Sequence, residues 1–415
     1  MAIESKSTFI INNKAEDMVK WLSSFGLSPD GGVNRLLYSS AWGEAQKALE
    51  HKMKNDGLAV HFDSVGNLFG RLEGSEAKAD TVLTGSHIDT VADGGRYDGV
   101  YGIVASLLAV ERLKATYGTP KKPIEVVSLC EEEGSRFPMT FWGSRNITGR
   151  YTLKDAKNVT DAKGVPLLSA MREAGFDPAY YQSPMRQDID CFIELHIEQG
   201  IVLDRSGRSL GLVSHIVGQR RFTINISGES NHAGTTPMPL RKDAMSIASH
   251  LIDYVTTEAR NDESDLVATV GKITAQPNTP NVIAGEVEFT LDVRHHEEKH
   301  LKQFCDRFHD YIQLTASENQ VSISSSQWLN ASPVQMDASL MDLSKATAQD
   351  NNIPFQPLIS GAGHDAQVFG THCPTALLFV PSQQGISHSP KEFTKAEDLE
   401  NGVDLLTDLL YKLAY

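Results

Sequence analysis

Residues 81–90, TVLTGSHIDT, pass from an apolar, β-branched run straight into a histidine and an aspartate, and residues 94–102, GGRYDGVYG, follow a few positions later. A short apolar run such as Thr81 to Ser86 reads as a buried strand. After it, Val100, Ile103, Val104, Leu107, Leu108 and Leu113 recur at helical spacing, which predicts a helix packing one face on a sheet. Ile124 to Cys130 then reads as a second buried strand, so strand, crossover helix and strand succeed one another as in an α/β sheet. Reactive groups in such sheets collect beyond the carboxyl ends of the strands, where His87 and Asp89 are delivered. Glycines on both sides of Asp98 let the backbone turn tightly toward a ligand.

Working outward, the chain's last part resembles its first: Thr375 to Val380 reads as a strand, and Leu399, Val403, Leu406, Leu410 and Leu413 mark a closing amphipathic helix. The middle differs. Arg221 to Ser227 alternates, and Val287, Phe289, Leu291 and Val293 alternate strictly with Glu288, Thr290, Asp292 and Arg294, which means a sheet with one covered face. Helical patterns from Asp243 to Arg260 and from Glu297 to Leu314 supply the cover. The expected fold is therefore α/β, with a larger discontinuous domain of residues 1–214 and 331–415 and a smaller inserted α+β domain of residues 215–330.

The chain has 415 residues, 40% of them hydrophobic, enough for two ordinary cores. A net charge of −15 argues against nucleic acid or an anionic membrane as partner, since both demand concentrated Lys and Arg. The N-terminal MAIESKSTFI lacks a basic segment followed by an apolar run, and no stretch reaches the roughly 20 apolar residues of a membrane span, so a cytoplasmic location is expected. Cys130, Cys191, Cys305 and Cys373 are scattered and form no CxxC pair, which suggests buried thiols in place of disulfides or a thiolate zinc site.

The second strand runs into Glu131, Glu132 and Glu133. Adjacent carboxylates usually mark a solvated surface, because burial without cations raises their pKa values. Here the apolar strand aims them at the same edge as His87, which favours a metal site. His196 in the run FIELHIEQG (192–200) and His388 in GISHSP (385–390) add imidazoles after further strands. Imidazole nitrogen and carboxylate oxygen suit zinc, manganese or cobalt, and a carboxylate can bridge two such ions. His232, beside Asn231 and Gly234, reads on its own as a turn residue. Arg294 reads either as a carboxylate grip or as an ion pair with Asp292, and Arg220 and Arg221 read as structural. His296-Glu297-Glu298-Lys299-His300 fits the HExxH pattern of zinc proteases, yet it falls where a strand meets a helix whose first turn favours acids for its dipole. No GxxxxGK[ST] or GxSxG motif occurs.

Taken in order, GSHIDTV, GGRYDGVYG, EEEGSRF, ELHIEQG, VGQRRF, GESNHAGTTPM, PNTPNVIAGE, LDVRH, SGAGHDA and GISHSP give the chain a resemblance, over nearly its whole length, to the M20 peptidase and amidohydrolase family. The motifs are most similar to its ureido-hydrolysing branch, which acts on allantoate, N-carbamoyl amino acids, ureidoglycolate and N-carbamoyl-β-alanine. The resemblance implies a metallopeptidase-like catalytic domain carrying a lid and dimerisation domain. It implies two divalent ions, manganese or zinc with cobalt as a third candidate. His87, Asp98 and His196 would hold one, Asp98, Glu133 and His388 the other. It also implies Glu132 as the general base toward a water between the metals and Asp89 as the residue orienting His87.

His232 would stabilise the oxyanion from the neighbouring subunit of a homodimer. Gln199, Asn281, Arg294, Gly363 and His364 would bind a small carboxylated ureido substrate, allantoate foremost, giving ureidoglycine, ammonia and carbon dioxide. Together with the insertion, the resemblance suggests hinges near residues 215 and 330. A protein of a different class, binding metal without catalysis, would keep the same ligands, and Glu132 is the residue that separates the two readings.

Overall fold

The computed structural model describes residues 14–76 and 78–415, so the MAIESKSTFI segment lies outside the described residues. Thirteen strands are assigned among them. They are β1 (Ala59–Phe62), β2 (Leu68–Leu72), β3 (Thr81–His87), β4 (Ile124–Leu129), β5 (Ile189–Ile197), β6 (Leu210–Ile216), β7 (Gly218–Ser227), β8 (Val267–Gln276), β9 (Glu286–His295), β10 (Ser322–Ala331), β11 (Val334–Gln335), β12 (Phe355–Ser360) and β13 (Thr375–Val380). The chain divides into two compact units. One takes the chain up to Ser214 with Met336–Leu358 and His364–Tyr415, and the other takes His215–Gln335 and Ile359–Gly363.

In the first unit the strands run β1-β2-β4-β3-β5-β13-β6. The central four, β4, β3, β5 and β13, are parallel, and the flanking pairs β1–β2, β2–β4 and β13–β6 are antiparallel, so the sheet is mixed. The parallel centre follows from composition: β3, β4 and β13 are buried along their whole length, which a run of apolar and small residues tolerates on both faces. Four carboxyl ends therefore point to one edge.

The helix Val100–Tyr117 departs from the expected one-faced packing. Every residue from Val100 to Val110 is buried, because this helix packs on β3, β4 and β5 and is covered in turn by the helices Lys14–Ser23 and Ala396–Ala414. A helix apolar all round is what a layer between two others requires. Gly102 allows the close approach: a Cβ there would sit 2.4 Å from the Leu195 carbonyl oxygen on β5. Of the cysteines, Cys130 and Cys191 are buried as expected, whereas Cys305 and Cys373 are half-buried, and all four are free.

The second unit is a four-stranded antiparallel sheet in the order β10-β7-β9-β8. Burial along β9 alternates strictly, with Val287, Phe289, Leu291 and Val293 inward. They meet Ile224, Ile226, Leu251, Phe304 and Phe308 from β7 and the helices Ala244–Asn261 and Glu298–Asn319. Glu288, Thr290, Asp292 and Arg294 point to the other face. This unit extends to Gln335 because β11 pairs Val334 with Ile216 and Gln335 with His215.

Candidate metal centre

The four parallel strands deliver the site. His87 is the last residue of β3, Glu131, Glu132 and Glu133 follow β4, His196 is the penultimate residue of β5, and His388 lies on the loop after β13. Asp98 sits in the β3 crossover loop just before the helix Val100–Tyr117. The left-handed turn at Gly99 (φ 65°) makes this placement feasible, since a Cβ there would fall 2.5 Å from the His87 ring.

These side chains converge. His87, Asp98 and His196 have donor atoms all within 4.8 Å of one another; so do Asp98, Glu133 and His388, and so do His87, Glu132 and Glu133. Asp98 belongs to two of the groups and divides its oxygens between them. Oδ1 lies 3.3 Å from His87 Nε2 and 3.2 Å from His196 Nε2, while Oδ2 lies 3.3 Å from His388 Nε2. Glu133 Oε1 is also 3.3 Å from His388 Nε2.

Whether cations fit is decided by the hydrogens. His196 Nδ1 is 2.9 Å from the Ile197 carbonyl oxygen and His87 Nδ1 is 3.1 Å from the Asp89 carbonyl oxygen, so each ring carries a hydrogen on Nδ1 and turns Nε2 toward Asp98. Nε2 of both rings faces Asp98 Oδ1, a buried atom with no hydrogen-bond partner among the described residues, and His196 Nε2 also accepts the Gly99 backbone N–H at 3.0 Å. When the rings are neutral these atoms are acceptors turned toward one another, an arrangement that a proton or a metal ion between them relieves. Their spacing matches the edge of about 3.3 Å in a tetrahedron of 2.0–2.1 Å zinc-ligand bonds. The donor set fits a divalent ion.

The electrostatics agree. Burial opposes the charge on Asp98, but its contacts with His196, His388 and His87 hold its carboxyl well below the usual range. Hydrogen bonds to Asp98 and Glu133 push His388 up to about 11. Burial and the neighbouring Glu133 push Glu132 well above the ordinary carboxyl range. Asp89 does more than orient His87, whose Nδ1 is 3.2 Å from Asp89 Oδ1. It also accepts the backbone N–H of Glu132 at 2.9 Å and of Glu133 at 3.2 Å, fixing the direction in which both acids leave β4.

Of the predicted substrate residues in this unit, Gln199 donates its amide to Asp98 Oδ2 at 2.8 Å and holds a left-handed backbone (φ 56°). His364 stacks edge-on against His196, 4.6 Å between ring centroids, and burial pushes its pKa well down, leaving a neutral ring. The remaining acids of these motifs are structural. Glu194 accepts from the Ser86 hydroxyl and the Ala366 amide, Glu198 caps the helix Val202–Ser206, and Glu131 accepts the Gly134 amide at 2.6 Å. Sequence reasoning missed Glu392 and Ser387. They stand four residues after His388 and one before it, but that proximity alone does not mark either for the site.

The other predicted residues belong to the second unit. His232 is exposed, and its Nδ1 accepts the backbone N–H of Gly234 at 3.0 Å and of Thr235 at 3.2 Å, which leaves the ring hydrogen on Nε2. Asn281 lies beside it, its carbonyl accepting the Ala233 amide at 3.0 Å. Arg294 donates from Nε and Nη2 to Asp292, both at 3.0 Å, and from Nη1 to the Gly361 carbonyl at 2.7 Å, two residues before Gly363. Three of its five N–H groups are used, and one remains on each Nη. Arg294, Arg221, Asp292 and Trp328 line a cleft of about 570 Å³. Arg220 is buried against the Ala331 carbonyl and Glu298, the structural role expected for it.

The HExxH stretch makes no donor cluster among the described residues. The helix begins at Glu298, so His296 lies outside it, and His300 Nε2 pairs with Asp262 at 2.7 Å. Burial pulls the Asp262 carboxyl up, but the Ser264 hydroxyl, His300 and the Ser264 amide hold it at about 2. A depressed carboxyl pKa contributes stability above the unfolded value near 3.9 that is lost as pH falls toward 2. Asp262→Asn is accordingly expected to lower the unfolding temperature at pH 6 and to lower it much less at pH 2, read by calorimetry at both pH values.

A mixed α/β sheet that gathers histidines and carboxylates beyond its parallel strands is the architecture of metal-dependent hydrolases. The particular family is plain from the chain itself: residues 83–412 match the model of peptidase family M20/M25/M40, and the protein belongs to that family. It is 48% identical to an allantoate amidohydrolase of Bacillus subtilis, over 99% of this chain and 100% of that one. It is 44% identical to an allantoate amidohydrolase of Escherichia coli, over 96% and 97%. A solved amidase of the hydantoinase/carbamoylase family from Burkholderia multivorans superposes with a TM-score of 0.91 at 32% identity, over 96% and 97%. Among the described residues no helix is long and apolar enough to cross a membrane.

Proposed function

We propose that this chain is a cytoplasmic, homodimeric allantoate amidohydrolase that cleaves a carbamoyl C–N bond, giving ureidoglycine, ammonia and carbon dioxide. The observation that carries the reading is the convergence of His87 Nε2 and His196 Nε2 on the buried Asp98 Oδ1, with His388 Nε2 facing its other oxygen. His87, Asp98 and His196 would hold one divalent ion and Asp98, Glu133 and His388 a second, manganese, zinc or cobalt. The ions when bound polarise the carbamoyl oxygen and lower the pKa of the attacking water. Glu132 takes a proton from that water and passes it to the departing nitrogen, without which an amide-like group is too basic to leave. Asp89 holds His87 and the Glu132 backbone in place. Arg294, braced side-on by Asp292, presents its two remaining N–H groups end-on to the substrate carboxylate. Gln199, Asn281, Gly363 and His364 complete the substrate contacts.

The deciding experiment measures ammonia release by the metal-replete protein from allantoate, ureidoglycolate, N-carbamoyl-β-alanine and several N-carbamoyl amino acids. Allantoate should rank first. An N-carbamoyl amino acid in that place would establish the second reading, which the hydantoinase/carbamoylase structure favours.

His232, with its hydrogen fixed on Nε2, is suited to donate to the oxyanion of the neighbouring subunit's substrate. If it acts in trans, His232→Ala and Glu132→Gln proteins, each inactive alone, regain activity when mixed. Random reassortment of the dimer should restore about a quarter of wild-type turnover. Properly formed mixed dimers without activity would place His232 in its own subunit's site.

A further inference from the structure

We infer that Glu392 is a positioning residue that clasps the Asp98 loop to the Ser387–His388 loop and so builds the cation site of Asp98, Glu133 and His388. The inference rests on the metal-centre reading above. Glu392 is buried, with 5% of its surface exposed, and both of its carboxylate oxygens are committed. Oε1 accepts the backbone N–H of Tyr97 at 2.7 Å and of Asp98 at 3.1 Å, 294 residues away in sequence. Oε2 is 2.8 Å from the Ser387 hydroxyl, which is itself 3.0 Å from Asp98 Oδ2.

One side chain thus fixes the backbone of the aspartate and, through Ser387, the aspartate oxygen that faces His388. Two loops leaving different strands, β3 and β13, are held in register at the atoms that matter for one cation. A second observation agrees: Gly95 leaves the room for this carboxylate, since a Cβ there would lie 2.1 Å from it. The other site depends less on the clasp, because two of its three donors, His87 and His196, are oriented by the Asp89 and Ile197 carbonyls.

A hydroxyl has one hydrogen to give. Glutamine at 392 can accept both amides through Oε1 and donate to Ser387 through Nε2, which commits the serine hydrogen to Asp98. Alanine can do neither.

The test titrates Mn²⁺ into the metal-stripped full-length protein by calorimetry, with the melting temperature of each metal-free variant measured alongside. The unaltered chain should take two ions. Glu392→Ala and Ser387→Ala should weaken one of the two sites 10- to 100-fold, the range typical of groups that hold metal ligands in place, and leave the other within about threefold. Glu392→Gln should keep both. Ser387→Ala indistinguishable from wild type overturns the inference, whatever Glu392→Ala does. Equal loss in Glu392→Gln and Glu392→Ala overturns it as well, by assigning the effect to charge. Should the unaltered chain bind no Mn²⁺, the metal-centre reading falls and this inference with it.

Discussion

Glu132→Gln is expected to lower kcat roughly a thousandfold, within the range that a positioned proton-transfer group supplies, while metal content and KM change little. The reason lies in where the carboxylate sits. Its donor atom is within 4.8 Å of His87 and Glu133 atoms, close enough to serve a reaction at the metal centre. Its backbone is pinned by Asp89 Oδ1, so the side chain leaves β4 in one direction. Burial and the Glu133 charge raise its proton affinity well above that of an ordinary carboxylate.

Glutamine keeps the shape and removes only the ability to accept and return that proton. Ammonia release and elemental analysis on the same preparation check the result. Turnover equal to wild type would mean that another base serves the reaction. A fall in both activity and metal content would assign Glu132 to the ligands.

Much of this site is legible in the sequence because strand ends are legible. The runs before His87, Glu131 and His196 are apolar and short, and an α/β sheet sends whatever follows such runs to one edge. The period of two in Val287 to Arg294 likewise separates the covered face of the inserted sheet from the face that bears Asp292 and Arg294.

What periodicity leaves out is set by tertiary contact. The helix Val100–Tyr117 shows a helical apolar repeat, but the second layer of helices that buries its outer side lies at the two ends of the chain. Glu392 is an acid on a loop, and nothing local distinguishes it from the solvated Glu397. Only the fold brings it to the Tyr97 and Asp98 amides. The two jobs of Asp89 are hidden for the same reason, since its hold on the amides of Glu132 and Glu133 exists only once β3 and β4 are paired.

Asp98→Ala should abolish cation binding and turnover together, and it should do so without unfolding the protein. Asp98 is shared by the groups His87–Asp98–His196 and Asp98–Glu133–His388, so its loss leaves each with only two of its donors. Two neutral imidazoles, His87 and His196, hold a divalent ion far less tightly than two imidazoles and a carboxylate, and His388 with Glu133 fare no better. The fold itself does not depend on the carboxylate: its Oδ1 has no hydrogen-bond partner, and its Oδ2 satisfies donors on Gln199 and Ser387 that lie toward the open end of the site.

The contrast therefore shows in the response to metal. Saturating Mn²⁺ should raise the unfolding temperature of the unaltered chain, by linkage worth about 2.7 kcal/mol for one site at a free ion concentration a hundred times Kd. The Asp98→Ala protein should melt at the same temperature with and without the ion. A metal-dependent rise in that variant equal to the wild type's would mean that the ions bind elsewhere, and the assignment of Asp98 as the shared ligand would fail.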